Sequence, residues 1–198
     1  EIARRQVAVL VDLQGPKIRI ERFRNGAVDL EEGQSFSLDV SLGENDGDGR
    51  AVGVAYKALP DDVSVGDLLL LNDGAITLQV EDVDGPRIAC RVDVGGPLSD
   101  NKGINRLGGG LSARALTDKD RADIRTAAER EMDYLAVSFP RDGADMDEAR
   151  ALLEAAGGNA LLVAKVERAE AVANIEEITE ASEVIMVARG DLGVELGY

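Results

Sequence analysis

The chain has 198 residues, a length that fits one to two domains. With 44% apolar and 30% charged residues it lies outside the composition of disordered chains, and no apolar run approaches the ~20 residues of a membrane span. A net charge of −16 argues against binding a phosphate backbone, which needs clustered Lys and Arg, so neither a nucleic-acid nor a membrane partner is expected.

One cysteine, Cys90, excludes an intramolecular disulfide framework and suits a reducing compartment. The chain has no His, which removes the commonest general base and the commonest zinc ligand. Val7–Val11, after Arg4-Arg5, is shorter than a secretory apolar region of roughly 7–15 residues. The first residue is Glu1 rather than Met, and both ends fall inside apolar-rich patterns, so an internal piece of a longer protein is expected.

Val7–Val11 reads as an apolar strand, ended by Asp12-Leu13-Gln14-Gly15-Pro16. From Lys17 to Arg114 the chain is rich in Gly and Asp and broken into short alternating runs. Phe36, Leu38 and Val40 share one face, as do Ile76, Leu78 and Val80, and Ile88, Cys90 and Val92. Turn residues at Asn25-Gly26, Asp73-Gly74 and Asp84-Gly85-Pro86 separate the runs, so a small antiparallel β domain is predicted. Cys90 then reads as a packed core thiol.

After Leu116 the pattern becomes helix, strand, helix, strand. Thr117 is a predicted N-cap for a helix with Ile124, Ala127 and Ala128 on its apolar side. Tyr134–Phe139 reads as a strand. Met146, Ala149, Leu152 and Leu153 mark a helix that Gly157-Gly158 ends. Leu161–Val166 is the next strand, Val172, Ile175 and Ile178 a further helical stripe, and Val184–Ala188 a strand. This spacing suits successive β/α units of a parallel sheet, with strands covered on both faces. The predicted architecture is a parallel β/α domain interrupted by a β domain that leaves after the first strand and returns before the first helix.

In such folds chemistry gathers at the C-terminal ends of the strands. Those ends carry Asp12, followed by Lys17 and Arg19; Ser138-Phe139-Pro140-Arg141; Lys165 and Glu167; and Arg189-Gly190-Asp191. Two carboxylates, Glu167 and Asp191, on adjacent strand ends suit Mg²⁺, which keeps waters and substrate oxygens in its shell. Lys165, two residues before Glu167, points to the same side of its strand, where an ammonium can neutralise charge on a transferring phosphoryl group. A solvated ion pair at a strand end is the plain structural alternative. The Arg189-Gly190-Asp191 adhesion tripeptide is discounted because it directly follows the apolar run Val184–Ala188. The Gly190-Asp191-Leu192-Gly193 turn can offer backbone N–H groups to an anion. Gly108-Gly109-Gly110 lacks the context of a dinucleotide loop and reads equally well as a hinge.

Six segments, in order along the whole chain, resemble the motifs of the pyruvate kinase family: Asp12–Arg19, Asn72–Gly74, Lys102–Asn105, Ala136–Phe139, Ala164–Glu167 and Ile185–Glu195. Gly108–Ala113 resembles a bacterial branch of that family. The resemblance implies a partial TIM-type (β/α)8 barrel interrupted by a small antiparallel β-barrel lid, an α/β fold. The expected domains are 1–16, first part of the barrel; 17–115, the inserted lid; and 116–198, the truncated continuation of the barrel.

It also implies phosphoryl transfer from phosphoenolpyruvate to ADP, giving pyruvate and ATP. By resemblance, Glu167 and Asp191 hold Mg²⁺ or Mn²⁺. Lys165 stabilises the phosphoryl group in flight, and Arg19 contacts phosphate oxygens. The backbone at Gly190 and Asp191 grips the substrate carboxylate, while Ser138 and Phe139 line the phosphate pocket. Asp73 and Lys102 lie on the nucleotide side of the lid. Asp12 belongs to a monovalent-cation region, where Lys17 stands in place of the Glu usual in K⁺-dependent members; its ammonium is expected to make K⁺ unnecessary. The resemblance further implies a cytoplasmic homotetramer, and the 198-residue piece alone is expected to be inactive. Two other readings remain open: a Mg²⁺-dependent β/α-barrel lyase or aldolase acting on an oxoacid, and a non-catalytic binding module.

Overall fold

The structure, a computed structural model, describes residues 7–197, so Arg4-Arg5 lie outside the described residues. In chain order the elements are β1 (Leu10–Asp12), β2 (Ala27–Leu30), β3 (Ser35–Asp39), β4 (Ala51–Gly53), the one-turn α1 (Leu59–Asp62), β5 (Leu68–Leu71) and β6 (Ile76–Asp84). Then come β7 (Arg87–Val94), β8 (Gly96–Ser99), β9 (Ile104–Arg106), α2 (Asp118–Glu129), β10 (Tyr134–Val137) and α3 (Gly143–Ala155). The chain continues with β11 (Leu161–Val166), α4 (Ala169–Ala173), α5 (Ile175–Glu180), β12 (Val184–Val187) and α6 (Arg189–Leu196). Two compact units result. One is made of the described residues up to Pro16 with Arg114–Leu192, the other of Lys17–Ala113 with the described residues from Gly193.

The first unit is built on a four-stranded parallel sheet in the order β1-β10-β11-β12. Leu10 pairs with Tyr134, Leu135 with Leu162, and Ala164 with Ile185. The two inner strands are apolar on both faces, and Leu135, Val137, Leu162 and Ala164 are buried. Helix α2 starts where Thr117 and Asp120 form a reciprocal capping box, and it buries Ile124, Ala127 and Ala128. In α3, Asp142 caps the Asp145 N–H at 3.0 Å while Met146, Ala149 and Leu153 face the core. Removing one of these side chains, as in Leu162→Ala, costs ~2–5 kcal/mol.

Three expectations are corrected in this unit. The predicted stripe Val172, Ile175, Ile178 is not one helical face. Asn174 ends α4 and opens α5, and its side-chain amide donates to the Arg141 carbonyl at 2.9 Å. Ala171 and Ile178 are buried, whereas Val172 and Ile175 are exposed. Secondly, β1 and β12 are not covered on both faces, since they flank the sheet and leave Leu10, Met186 and Val187 exposed. Thirdly, the segment after β12 is the first turn of α6 rather than a free turn.

The second unit holds a six-stranded sheet in the order β4-β3-β7-β6-β5-β9 and a two-stranded ribbon of β2 and β8. The period-two faces are its core: Phe36, Leu38, Ile76, Leu78, Val80, Ile88, Cys90 and Val92 are buried, and Val40 packs against them partly exposed. Burying each such side chain is worth ~1.5–3 kcal/mol. Burial pushes the Cys90 thiol up to about 12, with the Glu81 charge adding to it, so the residue packs as a small apolar group. The sheet is mixed, not purely antiparallel, because β3 and β4 pair in parallel.

Entry and exit of this unit lie side by side. The Ile104 N–H donates to the Ile18 carbonyl at 2.9 Å, and Arg19 bridges Gly103. Arg106 forks onto Asp67 at 2.9 and 3.0 Å and donates to the Gly109 carbonyl. Its hydrogen bond is the main reason the Asp67 carboxyl titrates below its ordinary value. Among the described residues, no helix is long and apolar enough to cross a membrane.

Candidate active site

Parallel pairing brings the ends of β1, β10 and β11 together in the first unit. Lys165, in β11, lies at their centre with its side chain 15% exposed. Its ammonium is 3.1 Å from Asp12 Oδ1, 2.9 Å from Ser138 Oγ and 3.1 Å from Glu167 Oε1. The Ser138 hydroxyl donates to the Leu13 carbonyl at 2.7 Å, which leaves its lone pairs for the ammonium. The other Glu167 oxygen accepts the Phe139 N–H at 2.9 Å.

Phe139 holds a positive φ of 58°, a conformation that costs a side-chain-bearing residue ~1–2 kcal/mol. Gly15, at φ 66°, makes the matching turn after β1, and a Cβ there would sit 3.0 Å from Phe139 Cδ2 and 3.1 Å from Ser138 Cβ. Glycine takes this backbone angle without strain, and any side chain there would also press on its neighbours.

The charges are tightly coupled. Burial is the largest influence on Glu167 and raises its pKa; Lys165 and the Phe139 N–H pull it back, Asp191 pushes it up again, and the net shift is upward. Burial pulls Lys165 down, but Glu167 and Asp12 outweigh it, so the ammonium is held above its ordinary value. The Lys165 charge is therefore firmly kept.

Asp191 is exposed in the first turn of α6, next to Gly190, and its charge is felt at Glu167. Among the described residues, no three His, Cys, Asp or Glu side chains cluster as a protein-only metal site. Glu167 and Asp191 are two hard oxygen donors whose charges repel, and a divalent cation completed by waters and substrate oxygens relieves that repulsion. The donor chemistry thus fits Mg²⁺.

The structure brings Asp12, Ser138, Phe139, Lys165 and Glu167 together, with Asp191 within electrostatic reach. Lys17, Arg19, Asp73 and Lys102 belong to the second unit. There Lys17, Arg19 and Asp73 are exposed and Lys102 is half-buried. Asn72, Asp73 and Gly74 form a turn with three successive positive φ angles.

Sequence reasoning passed over Asp120. It is fully buried and its Oδ1 accepts the Gly15 N–H at 3.2 Å. The capping-box position three residues after Thr117 is the signal that could have drawn attention to it.

The whole chain, residues 1–198, matches the family model described as pyruvate kinase, barrel domain. It is 59% identical over 196 residues to pyruvate kinase II of Salmonella typhimurium, covering 98% of this chain and 41% of that protein. Pyruvate kinase of Haemophilus influenzae is 58% identical over 194 residues, covering 96% of this chain and 41% of that protein. For pyruvate kinase of Mycobacterium tuberculosis (strain ATCC 25618 / H37Rv) the identity is 42% over 192 residues, covering 97% of this chain and 40% of that protein. The chain thus spans about two fifths of the length of these curated relatives. The chain belongs to the pyruvate kinase family, as part of the barrel domain.

Proposed function

We propose that the protein carrying this chain transfers the phosphoryl group of phosphoenolpyruvate to ADP, yielding pyruvate and ATP. The observation that carries this reading is the half-buried Lys165, charged and aimed by Asp12, Ser138 and Glu167. The enol P–O bond breaks as a β-phosphate oxygen of ADP bonds to phosphorus. The enolate then takes a proton at its methylene carbon, a step for which no residue named here is assigned.

Lys165 offsets charge on the moving phosphoryl group from a position fixed before substrate arrives. Ser138 and Phe139 line the phosphate end, and the backbone N–H groups at Gly190 and Asp191 take the substrate carboxylate. Arg19 contacts phosphate oxygens, and Asp73 and Lys102 serve the nucleotide. Glu167 and Asp191 are the residues that would hold Mg²⁺ or Mn²⁺, which when bound supplies Lewis-acid stabilisation of phosphate and enolate oxygens.

In this reading the first unit is part of a (β/α)8 barrel, 1–16 and 116–198, with the β-barrel lid 17–115 inserted. Asp12 and Lys17 occupy the monovalent-cation region. The Lys17 ammonium supplies the positive charge that K⁺ provides in K⁺-dependent members, so K⁺ is not required. The protein works as a cytoplasmic homotetramer. The 198-residue chain alone is inactive, because it spans about two fifths of its relatives and leaves Met186 and Val187 of its parallel sheet uncovered.

The test is pyruvate formation by the protein that carries this chain, from phosphoenolpyruvate and ADP with Mg²⁺, with and without K⁺. Equal turnover supports both the transfer and the role of Lys17. Turnover only with K⁺ keeps the transfer and overturns the Lys17 assignment. A folded protein with no turnover overturns the function and favours a lyase or a binding module.

A further inference from the structure

Asp120 uses more of its carboxylate than helix capping needs. Its Oδ2 accepts the Thr117 N–H at 2.9 Å and the Thr117 hydroxyl at 2.6 Å, which completes the capping box of α2. A capping carboxylate ordinarily turns its second oxygen to water. Here the side chain is fully buried, and Oδ1 instead accepts the N–H of Gly15, 105 residues earlier in the chain. The first turn of α2 is thereby tied to the turn after β1.

That turn carries two of the groups that aim Lys165. Asp12 pairs with the ammonium directly. The Leu13 carbonyl accepts a hydrogen bond from the Ser138 hydroxyl, so that the Ser138 oxygen accepts from Lys165. Gly15 also packs directly against Ser138 and Phe139, so closely that a methyl group there would need them to give by a few tenths of an ångström. A shift of the turn therefore moves the partners of Lys165 together.

We propose that Asp120 is a positioning residue of the phosphoryl-transfer site: through the Gly15 N–H it holds the turn Asp12–Gly15 so that Asp12 and Ser138 aim the Lys165 ammonium. The proposal rests on the function given above for its kinetic consequence, but not for its geometry. It differs from a capping role in that the capping hydroxyl of Thr117 is dispensable to it, while the oxygen facing Gly15 is not.

The experiment compares Asp120→Ala, Asp120→Asn and Thr117→Ala in the protein that carries this chain, by steady-state kinetics and by crystal structures. Asp120→Ala is expected to lower kcat by about 10- to 100-fold with the KM for phosphoenolpyruvate within about twofold, the size expected of a misplaced reacting group. In its crystal structure Lys165 Nζ no longer lies within hydrogen-bond distance of both Asp12 and Ser138. Asp120→Asn keeps an oxygen for Gly15 and is expected to restore both the geometry and most of kcat, although the capping box is weakened. Thr117→Ala lowers thermal stability and leaves kcat unchanged. Should the alanine protein not fold, Asp120→Ser replaces it, since its hydroxyl suffices for Thr117 and is too short to reach Gly15 as well.

Lys165 still bonded to both partners in the alanine or serine protein overturns the proposal, and so does a kcat no lower than that of Thr117→Ala. An unmutated protein without turnover would overturn the proposed function alone. The crystal structures would still decide the role of Asp120.

Discussion

In the β/α unit, Lys165 reaches Asp12, Ser138 and Glu167 within about 3 Å, and each of those partners except Asp12 is itself buried. In the β unit the assigned residues Lys17, Arg19 and Asp73 stand exposed, on a framework whose core is fully buried. One unit fixes its charged side chains in the resting protein. In the other these three side chains are exposed above an ordered backbone, as in the positive-φ turn at Asn72-Asp73-Gly74. A pre-aimed ammonium loses little entropy when it acts, whereas a free lysine forfeits up to ~2 kcal/mol of rotamer freedom on engaging a ligand. The first arrangement suits the reacting group, and the second suits recognition of a partner that comes and goes.

The strongest challenge to this contrast is Lys165→Met. It is expected to lower kcat by ~10²–10³-fold, the effect of losing one preorganised charge donor, and to leave Glu167 buried without its partner. A loss below tenfold, measured by pyruvate formation, would show that pre-aiming at this site has little value.

Glycine replacement compares the two units directly. Gly15→Ala combines a positive φ with contacts of 3.0 and 3.1 Å and is expected to destabilise by about 2–4 kcal/mol. Gly26→Ala shares the positive φ (79°) but meets nothing within 4 Å, so about 1 kcal/mol is expected. Equal shifts in thermal unfolding would erase the distinction between a packed turn and an open one.

Lys102→Ala should leave thermal unfolding within about 0.5 kcal/mol of the unmutated protein while raising the KM for ADP by about tenfold. A large stability loss with unchanged KM would reverse the roles assigned to the two units.

The smallest expected effect lies in acid. The Arg106 hydrogen bond holds Asp67 below its ordinary pKa of 3.8, so the stabilisation is present above that pH and is lost as pH falls through the lower, folded-state value. Asp67→Asn should therefore lose less stability than the unmutated protein between pH 5 and pH 3, by under ~1 kcal/mol. Urea midpoints at the two pH values check it, and an unchanged acid slope would show that this pair contributes nothing.

Local chemistry was legible in the sequence wherever one element carried it. Thr117 caps α2 as its residue type requires, β11 spans Leu161–Val166, and strand parity places Lys165 beside Glu167. The alternating faces of β6 and β7 are buried as their period demands. What escaped depends on distant partners. Alternation does not encode the sense of pairing, so the parallel contact of β3 with β4 carried no local signal. The break at Asn174 follows from a bond to Arg141, 33 residues earlier. Asp120 looked like an ordinary first-turn acid because Gly15, the partner that gives it a second task, lies 105 residues away.

The bond between Ile104 and Ile18 bears on the order in which the molecule assembles. Parallel pairing of Leu10 with Tyr134 must close a very long loop if the intervening chain is unfolded. Once the β unit has formed, Ile18 and Ile104 are neighbours, and the loop left to close shrinks roughly threefold, a saving of about 1 kcal/mol in closure entropy. Strands β5, β6 and β7 are joined by local hairpins, which can nucleate before any parallel contact exists. An inserted unit of this kind serves the sheet around it as a folding clasp, and in a refolding experiment its amides should gain protection before those of β1 and β10.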